Sequence, residues 1–182
     1  AVALPGLGLA RAELTPGLAC QRAADWLDEL VGALGLERFS LVVHATAGPP
    51  GLEMAVRRHR SVEGLVISNT FAWPLDDSRR LRFFVRLVGS RPFAWANVGL
   101  NFLPRITARA GRRGGRFDDR ERAAILGPYG ERATRRHLQN YLRGVSTERE
   151  LFAILERRLG VFARTRTLLV YGTHDNGFKA GF

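Results

Sequence analysis

The spacing of apolar residues changes period along the chain. In "CQRAADWLDELVGALGLE" (20–37), Ala23, Leu27, Leu30, Val31 and Leu34 recur at helical spacing, predicting an amphipathic helix that ends near Gly35. "RFSLVVH" (38–44) is a continuous apolar, β-branched run, the pattern of a strand buried on both faces. A stretch of small residues follows, and Pro49, tolerated in a first helical turn, opens a helix over about 49–60. "VEGLVISNT" (62–70) is the next buried strand. Strand, helix and strand at this spacing predict a βαβ unit with parallel strands and a right-handed connection.

From "FAWPLDD" onward the pattern changes. Residues 74 to about 158 read as short amphipathic helices and arginine-rich loops without a strand, as in "LRFFVRLVG", "RRHLQNYLRGV" and "ERELFAILERRLGVF". The glycine-rich "RITARAGRRGGRF" (105–117) reads as a loop. "TRTLLVYGTHD" (165–175) returns as a strand ending in Gly-Thr-His-Asp. A helical insertion between parallel strands is expected to cap their carboxyl ends, where ligands bind in such sheets. No internal repeat or low-complexity tract interrupts this order.

Composition narrows the picture. A chain of 182 residues, 46% apolar and 25% charged, fits one soluble globular domain with a sizeable core. No run is long enough to span a bilayer, and no secretory signal is visible, so a cytoplasmic setting is expected. Cys20 is the single cysteine, which excludes an internal disulfide and suits a small apolar filler. The net charge of +11 could attract phosphates or anionic membranes, and Lys179 is the only lysine among 28 basic residues. Arginines interleaved with acids, as in "DDRERAA", argue instead for dispersed charge and against nucleic-acid binding. The four histidines show no metal-ligand spacing, so neither a metal nor a cofactor is expected. His44 suits local hydrogen bonding or pocket lining, whereas His59 and His137 in arginine-rich helices read as solvated. Asp76 and Asp77 after Pro74 read as helix caps. His174 and Asp175 are sequence neighbours at a strand end, where side chains point apart.

The order of motifs resembles the α/β-hydrolase fold, above all the haloalkane dehalogenases with their epoxide-hydrolase relatives. "LPGLGLA" is similar to the loop after the family's fourth strand. "GLVISNTFAWPL" is similar to its sixth strand and the start of its cap, and "LLVYGTHDNGF" to its seventh strand and acid turn. The elbow, V-H-D-W-G-G-P-x-G in dehalogenases, aligns without a gap on Val43, His44, Ala45, Thr46, Ala47, Gly48, Pro49, Pro50 and Gly51.

This resemblance implies a fold, a reaction and a defect. The fold would be a partial α/β-hydrolase: a parallel sheet with helices on both faces, core residues 1–73 and 161–182, and a helical cap over 74–160. The family reaction is hydrolysis of a carbon–halogen bond through an alkyl-enzyme ester, with a histidine-activated water and an orienting acid. Ala45 occupies the nucleophile's position, Thr46 that of a halide-holding tryptophan, and Asp175 that of the orienting acid. Thr46, Phe71 and Trp73 would contact a small apolar molecule under the cap, with core packing in an aromatic cluster as the other reading of Phe71 and Trp73, and Trp95 and Phe102 could also line that pocket. The ends of the fold, with the histidine, are expected to lie outside these residues, which would leave the chain inactive and its sheet edges open to self-association. Two other readings stay open: an ester or epoxide hydrolase using other groups, and a non-catalytic binding protein with a basic surface.

Overall fold

The computed structural model describes residues 1–8, 10, 19–75, 79–110 and 115–172. Contacts divide the chain into two compact units, residues 20–83 with 147–182 and residues 1–19 with 84–146.

The first of these units holds the sheet. Helix α1 (Ala19–Ala33) buries Cys20, Ala23, Ala24 and Val31, and Gly35 follows in the left-handed region at φ +61°. Leu34, expected on the buried face, is 60% exposed because it lies past the last helical residue, where helical spacing no longer applies. Strands β1 (Phe39–His44) and β2 (Val62–Ser68) are parallel and joined through helix α2 (Gly48–Arg57), as the βαβ pattern predicts. Strand β3 (Arg166–Val170) pairs in parallel on the other side of β2, so Val42, Val66 and Leu168 lie in one row.

The core fills one face of this sheet. Val43, Leu52, Ala55, Val56, Val62, Leu65 and Ala72 are buried there with Leu155 of helix α8 (Arg149–Arg158) and Phe162, while Phe39, Leu41, Ile67 and Trp73 pack against them. β1 is therefore not buried on both faces. It alternates, with Val43 inside and Val42 69% exposed, because the described core covers only one side of this outer strand.

Two polar arrangements tie distant segments into the same core. Glu53 of α2 is buried and accepts from Arg57 Nε at 3.0 Å and Arg158 at 3.2 Å, and Arg57 also reaches Asp25 of α1 at 2.7 Å. Glu148 is buried too. Its carboxylate accepts the backbone N–H of Cys20 at 3.0 and 3.2 Å, and so caps α1 from 128 residues away. Cys20 also hydrogen-bonds Glu148 through its side chain, so it is more than an apolar filler.

The other unit is helical, without a strand among its described residues, as expected for this part of the chain. Helix α3 (Arg79–Gly89) leads to α4 (Arg91–Leu100), α5 (Phe102–Ala110), α6 (Asp119–Leu126) and α7 (Arg132–Thr147). Ser90 caps α4, and Asp118 with Glu121 forms a reciprocal capping box on α6. A buried amide pair crosses the unit: Asn97 Nδ2 donates to Gln139 Oε1 at 2.9 Å, and Gln139 Nε2 donates to the Val88 carbonyl at 2.9 Å.

Two expectations fail in this unit. Residues 105–110 are helical rather than loop, since the glycines begin only at 111 and the pairs Phe102–Ile106 and Pro104–Ala108 each keep helical i, i+4 spacing. His137 is half-buried rather than solvated, with Nδ1 buried and without a partner among the described residues.

Candidate active site

At the carboxyl end of β1 the chain makes a tight reversal into α2. His44 ends the strand in extended conformation, and Ala45 then adopts φ 50°, the left-handed region that costs a residue with a Cβ about 1 kcal/mol or more. Ala45–Ala47 form one 3₁₀ turn, and Pro49 falls in the first turn of α2, where it sacrifices no hydrogen bond. A strand-to-helix turn with a strained residue at its apex is the geometry that lifts one side chain clear of its neighbours.

Small residues make the turn possible. A Cβ at Gly48 would lie 1.8 Å from Thr70 Oγ1, and one at Gly51 would lie 2.7 Å from Val43 Cγ1. The helix thus packs directly on β1 and on the segment leaving β2.

That second segment holds the apex in place. Thr70 is fully buried, and its hydroxyl donates to the Ala45 carbonyl. The Thr70 carbonyl accepts from the Tyr171 hydroxyl at 2.8 Å, and burial raises the pKa of that hydroxyl. Asn69, itself at φ 41°, donates its N–H to the Val170 carbonyl at 3.1 Å and accepts from Gly172 N at 3.2 Å. The carboxyl ends of all three described strands are therefore bonded to one another beside Ala45. His44 Nδ1 lies 3.1 Å from the Ser68 carbonyl and 3.3 Å from its hydroxyl, the local role expected of it.

The residues singled out from sequence divide as follows. Ala45 and Thr46 sit together in the turn, half-buried. Phe71 is 1% exposed, with its ring edge-on to Phe152 at 5.4 Å, and Trp73 packs against the core cluster. Trp95 and Phe102 are exposed on the helical unit. Asp76, Asp77, His174 and Asp175 lie outside the described residues. A groove lined by Arg38, Gly64, Val66 and Arg166 runs along the sheet away from the elbow and includes neither Ala45, Thr46, Phe71 nor Trp73. Among the described residues, no group of three or more His, Cys, Asp or Glu could hold a metal ion. Thr70, Asn69 and Tyr171 were not singled out from sequence. The one available signal was "NT" closing the strand read over 62–70.

Taken alone, the turn offers backbone N–H groups and one threonine hydroxyl, but no side chain at its apex that can attack carbon. Comparison with known proteins supplies its context. No family model matches the chain. Haloalkane dehalogenase 2 of Mycobacterium bovis is 28% identical over 179 residues, covering 96% of this chain and 60% of that protein. Among solved structures, the haloalkane dehalogenase DbeA from Bradyrhizobium elkani superposes with a TM-score of 0.74 at 20% identity, over 93% of this chain and 62% of the other. The epoxide hydrolase CorEH superposes at 0.67 with 19% identity, over 85% and 58%. The chain thus spans about 60% of the length of the curated relatives it matches. Sequence relatives, parallel sheet and elbow agree: this chain has part of the α/β-hydrolase fold and is similar in sequence to haloalkane dehalogenases.

Proposed function

We propose that the chain carries the elbow of a carbon–halogen hydrolase lineage in which the ester-forming step has lost its nucleophile. The observation that carries this reading is Ala45: a strained, left-handed apex between β1 and α2, occupied by a methyl group. Alkyl-enzyme chemistry needs a carboxylate at that point to displace halide in line, and a methyl group has no electron pair to give. Thr46 stands beside it where the lineage holds departing halide, and its hydroxyl is a poor replacement for an indole N–H.

On this reading Phe71 and Trp73 border a site for a small apolar molecule, and residues 74–160 correspond in sequence order to the lineage's cap. Asp175 is the acid that would orient a histidine. The setting is cytoplasmic. The buried Phe71–Phe152 contact supports an apolar wall near the elbow, although it serves packing as well.

The test is halide release from short bromoalkanes. No release above a protein-free control is expected, and release that rises with protein concentration would overturn the proposal. A parallel assay with an activated ester separates the altered-chemistry reading: turnover that vanishes in Thr46→Ala would assign the work to that hydroxyl and displace the proposal.

A further inference from the structure

Residues 79–117 contain ten arginines and no aspartate, glutamate or lysine. The helices in this stretch turn apolar and cationic side chains outward together. On α5, Phe102, Arg105, Ile106 and Arg109 are all exposed at spacings i, i+3, i+4 and i+7, so they share one face. On α4, Arg91 and Trp95 are exposed one turn apart, Trp95 by 69%, and Leu100 is exposed at the helix end. On α3, Phe84 and Leu87 are exposed with Arg86 between them. The opposite faces are buried through Val88, Asn97, Pro104 and Ala108. Phe93 meets Phe102 edge-on at 5.9 Å, which holds α4 and α5 side by side.

A single exposed leucine or phenylalanine is ordinary on a protein surface. Here the pairing of an exposed apolar group with an exposed arginine recurs on three successive helices, with no acid among them. We propose that these exposed faces of α3, α4 and α5 dock on an anionic lipid bilayer. Interfacial helices combine apolar side chains that enter the headgroup boundary with arginines that meet anionic headgroups, and tryptophan favours that boundary. Charge complementarity selects this occupant over two others. A nucleic acid would engage the arginines but leave Leu87, Leu100 and Ile106 without an apolar partner. A second copy would set the arginine-rich faces of α3 to α5 against one another. Among the described residues, no helix is long and apolar enough to cross a membrane, so contact would be at the surface.

The test uses the full chain and phosphatidylcholine vesicles with or without about one-third phosphatidylserine. Co-sedimentation with the anionic vesicles alone is expected, weakening as salt rises. The double substitution Arg105→Glu/Arg109→Glu should lower affinity on the order of tenfold or more. Trp95→Ser/Ile106→Ser should lower it as well, at unchanged far-ultraviolet circular dichroism. Trp95→Phe should remove most of the blue shift in tryptophan emission on binding. Absent binding, equal binding to both vesicles, or affinity unchanged in both double variants would overturn the proposal. So would tight duplex-DNA binding that ignores Trp95→Ser/Ile106→Ser and displaces the vesicles, which would assign the surface to nucleic acid. Self-association lost in that variant, without vesicle binding, would assign it to a second copy.

Discussion

Ala45 carries the strain of the elbow in one dihedral angle. At φ 50° an alanine is strained, whereas at an ordinary turn position it is more stable than glycine. The sign of one substitution therefore reports the elbow. Ala45→Gly should leave urea-unfolding stability unchanged or raise it by up to about 1 kcal/mol, and a loss of that size would place Ala45 in a relaxed turn. The hydroxyl of Thr70 holds the Ala45 carbonyl, and Thr70 is fully buried. Thr70→Val keeps the shape but leaves that carbonyl with the Gly48 N–H as its remaining donor, which should cost about 1 kcal/mol, while Thr70→Ser should cost less. Equal losses in the two variants would reduce Thr70 to a packing residue. The elbow frame itself was legible because its small residues are contiguous in sequence. Thr70 was not, because its partner is 25 residues away and only the paired strands bring them together.

At the scale of elements, local periodicity read well and long-range satisfaction of polar groups did not. β1, α2 and β2 form where their apolar patterns place them, yet nothing near residue 20 indicates that Glu148 caps α1. Arginine and glycine around residue 110 likewise hid the helical spacing of α5. The Glu148 cap has a pH signature. Burial raises its pKa above the ordinary 4.5, against the lowering effect of hydrogen bonds from Cys20 and Gln21. The folded state then binds this proton more tightly than the unfolded chain does. The contribution to stability is full below pH 4.5 and is lost as pH rises through the raised folded value. Glu148→Gln stays neutral and can still accept the amide hydrogen bonds. Its stability relative to the parent protein should therefore improve as pH rises from 4.5, as read from urea midpoints across that range. Parallel profiles for the two proteins would contradict the burial argument.

At the scale of the molecule, motif order was the strongest signal in the sequence. A parallel sheet, an elbow and a helical insertion appear in the order that the dehalogenase resemblance implies, and relatives at 28% identity agree. The exposed side of the sheet escaped notice because a continuous apolar run such as "RFSLVVH" reads alike whether one face or two are covered. The pairing of aromatic and arginine side chains on α3 to α5 escaped too, since exposure depends on which helix faces are packed. The proposal that this elbow keeps the dehalogenase frame without its nucleophile can be read from mass spectrometry of the intact chain and its peptides after incubation with a bromoalkane. An unmodified elbow is expected, and an added alkyl mass mapped to Ala45–Ala47 would overturn the proposal.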